Sequence, residues 1–236
     1  MNNLGRSDAV RSVGLVILNK NDAESLNIVL NEIDFGLFDF ILGIDGNSSD
    51  HSLNIFKKHK IDCIKDIPGG RGGAIKYAIS NLNIDYLIFL SSDGEENPKD
   101  LVKIKEALLG GASLVIASRM KSNSGFKSDH NIFYIHRKFF LWFISYSIKL
   151  LFGGNIKDCW NGYRGVERCK ALDMNLNAQN FLLEAQMTIK FLKKDLHIVE
   201  IPTKERARYH GHSQNPALIS GWGHILLLVR EFFEKE

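Results

Sequence analysis

Cysteine is scarce in this chain. Its 236 residues include three, Cys63, Cys159 and Cys169, and no C-x-x-C pair. An odd, sparse set excludes a disulfide framework and suits reduced thiols in a cytosolic protein. Charge of one sign is missing too: 30 Lys and Arg face 27 Asp and Glu, a formal net charge of +3. That balance argues against a dedicated nucleic-acid binder. No apolar run approaches the ~20 residues that cross a bilayer. The longest, Phe139 to Ile148, is broken by Lys149. Met1 to Arg11 is polar and lacks the apolar core of a signal peptide. Internal repeats and low-complexity segments are also absent. These absences describe a soluble, cytoplasmic chain whose contact with a membrane would be peripheral, at its inner face. What is plentiful is apolar material, 44% of residues, enough to bury a sizeable core.

Its distribution suggests an α/β protein. Val13–Leu18, Phe40–Ile44, Ile61–Ile64, Tyr86–Leu90 and Leu114–Ala117 read as short buried strands. Helices are expected between them: one opened by Asn21, then Ser49–Lys58, Ala74–Leu82 and Pro98–Leu109, the last starting on proline. Strictly alternating strands and helices imply a parallel sheet covered on both faces. Beyond residue 120 the pattern changes. A polar loop, Ser122–His130, precedes a long aromatic-rich helix, Phe133–Leu151. A strand at Gly162–Glu167, a helix at Asn180–Lys193, a strand at His197–Ile201 and an amphipathic helix at Leu218–Phe233 follow. The expectation is one domain over 1–236, with a nucleotide-binding half at about 13–120 and an acceptor-binding half at about 121–236.

Three segments carry chemistry, each with a carboxylate followed closely by glycine. They are Phe40-Ile-Leu-Gly-Ile-Asp-Gly-Asn-Ser-Ser-Asp50, Tyr86-Leu-Ile-Phe-Leu-Ser-Ser-Asp-Gly-Glu95 and Ile156-Lys-Asp-Cys-Trp-Asn-Gly-Tyr-Arg164. In open α/β sheets, ligands sit beyond the carboxyl ends of the strands. Asp45 there suits hydrogen bonds to a base or ribose, although a turn and helix cap would explain it equally. Asp93 and Glu95, two residues apart after the most apolar strand, suit a hard divalent cation that also holds phosphates. Asn21-Asp-Ala-Glu24 fits a capping box as well as it fits a ligand contact. Gly69-Gly-Arg-Gly-Gly73 is neither a Walker loop nor G-x-G-x-x-G, yet its glycines at a helix start would let backbone approach an anion. Lys204–Ser213 is basic, either a solvated loop or an arginine clamp on phosphate. His210 and His212 form an H-x-H pair with no further ligand near in sequence, which makes zinc a poor fit.

Taken in order, these segments resemble the family 2 glycosyltransferases of the GT-A fold, and among them the dolichyl- or polyprenyl-phosphate sugar synthases. The resemblance runs from about Val13 to Ser213. The family's opening P-x-Y-N-E is matched by Leu18-Asn-Lys-Asn-Asp22, and its D-D/G-x-S-x-D by Asp45–Asp50. Gly70-Arg-Gly-Gly-Ala74 takes the place of G-K-G-x-A, and Ser91-Ser-Asp-Gly-Glu-Glu-Asn-Pro98 that of the metal motif D-x-D-G-Q-x-x-P. Ala117-Ser-Arg119 stands for G-S-R, Asp158–Arg164 for D-x-x-x-G-F-R, and Arg206–Gln214 for the closing R-x-R-x-x-G-x-S-K. Leu18 and Lys20 replace the first motif's Pro and Tyr, Gln214 the final Lys, and Ser91 the first metal carboxylate. The spanning helices that often end members with membrane acceptors have no counterpart here.

The resemblance implies a Rossmann-like, mostly parallel sheet flanked by helices. It implies a hexosyltransferase that moves a sugar with inversion from a nucleoside diphosphate sugar to a polyprenyl phosphate or glycan, in the making of cell envelope polysaccharide. Asp22 and Asp45 would meet the nucleoside. Gly70, Arg71, Arg206 and Arg208 would hold the diphosphate, and Asp93 with Glu95 would bind Mg2+ or Mn2+. Ser91→Asp would restore a lost ligand. Arg119 would face the sugar or an acceptor phosphate, and Asp158 would bind the acceptor or act as base. Two rivals remain at this point. One is a nucleotide-sugar-binding protein without turnover, motivated by Ser91. The other is a sugar nucleotidyltransferase, which expects a glycine-rich loop after the first strand where this chain has Asn19-Lys-Asn-Asp22.

Overall fold

The structure, a computed structural model, describes residues 11–121, 132–209 and 217–234, with the side chains of 132–141 and 217–221 left aside. The polar loop Ser122–His130 and the segment from His210 to Gln214, with its H-x-H pair, lie outside the described residues.

Seven strands form one sheet in the order β3-β2-β1-β4-β6-β5-β7. These are β1 (Val13–Asn19), β2 (Phe40–Asp45), β3 (Cys63–Lys65), β4 (Tyr86–Ser91), β5 (Leu114–Ser118), β6 (Arg164–Glu167) and β7 (Ile198–Pro202). All pairings are parallel except those of β6, which runs antiparallel between β4 and β5. Every residue of β1 is buried, as expected of a strand covered on both faces. Its side chains alternate between two apolar layers. Val13, Leu15 and Ile17 pack with α1 (Ala23–Glu32), α2 (Ser52–Lys58) and α4 (Leu101–Leu109). Val16 and Leu18 pack with α3 (Gly70–Asn81) and α7 (Leu183–Lys193). β4 repeats the alternation, Tyr86, Ile88 and Leu90 against Leu87 and Phe89.

The long helix α5 (Ile132–Phe152) and the terminal α8 (Ala217–Phe233) join α7 around a small third cluster, with Ile144, Ile148, Ile189 and Leu228 buried. No helix among the described residues is long and apolar enough to cross a membrane. A short helix, α6 (Arg168–Leu172), follows β6 and was not expected from the sequence.

The chain leaves β1 for β2 on one side and returns to β4 on the other. The crevice at the carboxyl ends of β1 and β4 is therefore a topological switch point, where ligands bind in open α/β sheets.

Two local expectations are corrected. Asn21 does not cap α1. It adopts φ +54°, and its Oδ1 accepts from the Ser49 amide at 2.8 Å. Asp50 caps instead, its Oδ2 accepting from Ala23 N at 3.0 Å, while its Oδ1 takes the Ser52 amide and hydroxyl at the start of α2. A capping box sees only residues three apart, whereas this cap comes from another loop. Secondly, the glycine loop is the first turn of α3, which begins at Gly70. A Cβ on Gly73 would stand 1.8 Å from the Pro68 carbonyl oxygen, and one on Gly72 would stand 2.8 Å from Asn180 N. The close approach these glycines allow is to the chain's own backbone.

Candidate active site

β4 carries the acidic cluster to the switch point. After Ser91 the chain turns through Gly94 at φ +84°, where a Cβ would strike the Tyr209 ring at 2.3 Å. Asp93 Oδ1 accepts from Glu95 N at 3.1 Å and closes the turn. The segment after β7 is strapped across it. Arg206 N donates to Glu95 O at 2.8 Å, and its guanidinium donates to Gly94 O (3.1 Å), Glu96 O (3.2 Å) and Glu32 Oε2 (2.6 Å). Arg206 thus fixes the loop, and its fork is occupied there rather than open to a diphosphate.

Arg208 lies at the centre. Its guanidinium reaches Asp93 Oδ2 at 2.8 Å, Glu95 Oε1 at 3.2 Å and Asp22 Oδ1 at 3.4 Å. The structure therefore brings together Asp22, Asp93, Glu95 and Arg208, four residues singled out in sequence. Burial and the nearby Asp93 push the Asp22 carboxyl up to about 6, against the pull of Arg208. Burial and Asp93 likewise raise Glu95. Hard oxygens converging on one cation suit Mg2+ or Mn2+, which take one or two carboxylates and complete their shell with water and phosphate. No group of three or more His, Cys, Asp or Glu among the described residues forms a ready-made metal cage. The residues fit a cation that arrives with, or is completed by, its ligand's phosphates.

Other expected site residues lie behind this surface. Asp45 is fully buried, and its oxygens accept from Asn19 Nδ2, Ser48 N and Ser48 Oγ, all at 2.7 Å. It locks the ends of β1 and β2 together. Arg71 points beneath the cleft, donating to Glu184 Oε1 at 2.7 Å and Ser91 Oγ at 2.9 Å. Gly162 makes room for it, since a Cβ there would lie 2.0 Å from Arg71 Nη2. Gly70, at φ +59°, turns the chain into α3. Asp158 and Arg119 form a buried two-pronged pair, Nε to Oδ2 at 2.8 Å and Nη2 to Oδ1 at 2.9 Å, with the Arg119 amide also on Oδ2. Burial works against the Asp158 charge, but Arg119 outweighs it and holds the carboxyl below its usual range. A carboxylate so held is a poor base.

Sequence reasoning missed Glu96. Its carboxylate folds back over β4, accepting from Ser91 N at 2.6 Å and Ser91 Oγ at 3.0 Å, with Arg71 Nη2 at 4.0 Å. Burial pushes it up to about 7, against the pull of Arg71. It also missed Glu184, which is buried in α7 and partners Arg71. A glutamate inside an apolar helix face was the available signal for Glu184.

A switch-point crevice lined by carboxylates and Arg208, on a sheet of this order flanked by helices, is the architecture of the GT-A fold. The family profile "Glycosyl transferase family 2" matches residues 16–172, and the chain belongs to that family. It is 25% identical over 209 residues to "Glycosyltransferase AglJ" of Haloferax volcanii, a match covering 88% of this chain and 67% of that protein. It is 24% identical over 220 residues to the UDP-N-acetylglucosamine–dolichyl-phosphate N-acetylglucosaminyltransferase of Methanococcus voltae, covering 83% and 86% of the two chains. Among solved structures, the fold resembles glucosyl-3-phosphoglycerate synthase of Mycobacterium tuberculosis in complex with Mn2+, UDP and phosphoglyceric acid. The TM-score is 0.75 at 15% identity, over 97% of this chain and 81% of that one.

Proposed function

We propose that this glycosyltransferase moves a hexose from a UDP-sugar, with inversion and with Mg2+ or Mn2+, to the phosphate of a polyprenyl lipid at a membrane surface. The observation that carries the reading is the convergence of Asp22, Asp93 and Glu95 on Arg208 at the β1/β4 switch point. UDP and a divalent cation in the mycobacterial synthase and dolichyl phosphate in the name of the Methanococcus relative support the choice of donor and acceptor.

Asp93 and Glu95 would hold the cation, with Asp22 beside them. A cation held there would supply positive charge to neutralise the diphosphate. The acceptor oxygen attacks the anomeric carbon from the face opposite the diphosphate; the new C–O bond forms as the bond to the diphosphate breaks. A phosphate acceptor is already ionised, so the step needs no proton removed. This agrees with the buried, arginine-locked state of Asp158. Arg208, whose guanidinium spans Asp22, Asp93 and Glu95, would offer its fork to the diphosphate, where charge builds on the leaving group.

Two measurements test the reading. Transfer of radiolabelled sugar from UDP-, GDP-, CMP- and dTDP-sugars to polyprenyl phosphate or a glycan, with Mn2+ or chelator, should give a lipid-extractable product from a UDP-sugar that chelator abolishes. Transfer to glycan alone, or from another donor, would overturn that assignment. Secondly, Asp93→Ala should abolish divalent-dependent nucleotide binding in calorimetry; full affinity in that variant would remove Asp93 from the cation site.

A further inference from the structure

The metal motif of this chain has Ser91 where the family places its first carboxylate, and the sequence alone suggests a site short of one acid. The structure brings another carboxylate onto Ser91. Glu96, five residues on, is folded back so that both its oxygens lie on Ser91, one on the amide at 2.6 Å and one on the hydroxyl at 3.0 Å. Its backbone is pinned from outside. Arg206 Nη2 donates to the Glu96 carbonyl at 3.2 Å, and Tyr163 Oη donates to the next carbonyl, Asn97 O, at 2.9 Å. Burying a carboxylate is costly unless its charge is matched. Arg71 does not match it alone, because it lies closer to Glu184 (2.7 Å) than to Glu96 (4.0 Å). Across the cleft, Arg208 is shared among three carboxylates. On that side three carboxylates share one guanidinium, an excess that a divalent cation would reduce.

We propose that Ser91 and Glu96 act as a unit, in which Glu96 supplies from position 96 the acidic group that position 91 lacks and helps to hold the cation–nucleotide complex. The inference rests on the donor reading above. It reverses what the motif suggests for Ser91→Asp. A carboxylate at position 91 would stand against Glu96 with Arg71 already shared, and like charges so placed disfavour each other. Restoring the family residue alone should therefore weaken the site. Restoring it while removing the charge at 96 should repair it.

Titration of UDP in the presence of Mn2+, and of Mn2+ by electron paramagnetic resonance with and without UDP, decides the matter on wild type, Glu96→Gln, Ser91→Asp and the double variant. Glu96→Gln keeps the shape and loses the charge; it should bind the complex roughly tenfold more weakly, a loss of about 1.4 kcal/mol. Ser91→Asp should also bind more weakly than wild type. Ser91→Asp with Glu96→Gln should bind better than either single variant. Melting temperatures of all four proteins separate this from a fold effect, because a purely structural tie predicts no rescue. A double variant no tighter than Glu96→Gln overturns the proposal, even if Ser91→Asp alone fails to fold. Wild-type protein that binds Mn2+ but no UDP would overturn the donor reading instead, and this inference with it.

Discussion

Arg208 has more than one task. Its guanidinium lies between Asp22, Asp93 and Glu95 and partly neutralises them. If Asp93 and Glu95 hold the proposed cation, that cation and Arg208 would compete for the same oxygens. Arg208→Ala should then shift two affinities in opposite directions. Mn2+ alone should bind more tightly than to wild type, because its competitor is gone. Nucleoside diphosphate should bind more weakly by roughly 1.5–3 kcal/mol, the worth of a charge-assisted hydrogen bond, while nucleoside alone changes little. Arg208→Lys should recover only part, since a point charge lacks the planar fork. Calorimetric titrations of Mn2+, nucleoside and nucleoside diphosphate against the three proteins check this. Equal losses for nucleoside and nucleoside diphosphate would place Arg208 away from the phosphates.

Between elements, the pair expected to be catalytic acts as a joint. Asp158 precedes β6, Arg119 follows β5, and Glu200 on β7 accepts from the Asp158 amide at 2.8 Å. Together with Glu200, the pair ties the segment before β6 to the end of β5 and to β7. Asp158→Asn removes the charge from the two-pronged pair while Arg119 keeps Glu205 at 3.3 Å, and should cost up to about 3 kcal/mol, read as a drop in urea midpoint. The sign of the pH effect follows from the depressed carboxyl. Its stabilisation is present above the ordinary aspartate value and is lost as pH falls through the lower folded value. Wild type should lose stability more than Asp158→Asn as pH is taken from 5 towards 2; parallel curves would show that the pair contributes nothing to acid stability. How much of this was legible in sequence depends on range. Strands β1, β2, β4 and β5 were readable because both sheet faces are buried and leave near-continuous apolar runs. Asp22, Asp93, Glu95 and Arg208 were readable because motif order places them at strand ends. The antiparallel direction of β6 was not, because a run such as Gly162–Glu167 shows that a strand exists and not which way it pairs. The Arg71–Glu184 pair joins residues 113 apart in sequence, and the Asp50 cap comes from a neighbouring loop, so neither leaves a local pattern.

Over the whole molecule, polar chemistry gathers at the switch point and exposed apolar surface gathers on two helices. On α5, Trp142, Tyr146 and Leu150 are 52%, 52% and 73% exposed; on α8, Trp222, Leu226 and Phe233 are 72%, 67% and 74% exposed. Each set recurs at helical spacing and lies about half a turn from the buried side, Ile144 and Ile148 on α5 and Leu228 on α8. The two helices pack together, so both stripes face away from the core. Exposed apolar residues in such stripes suit a binding surface. Exposed Lys149 and Arg230 accompany it, and tryptophan and tyrosine favour the boundary between lipid and water. A lipid-phosphate acceptor has to be met at such a boundary, so the proposed reaction and this face make the same demand. The expected outcome is reversible association with anionic liposomes, weakened by high salt and reduced by Trp222→Ala with Leu226→Ala, while UDP affinity is kept. Co-sedimentation measures the association, and light scattering measures the mass in solution. Equal pelleting with anionic liposomes and with buffer would remove the membrane role. A stable dimer whose formation shields Trp142 and Trp222 from a soluble quencher would give this face to a second copy of the chain.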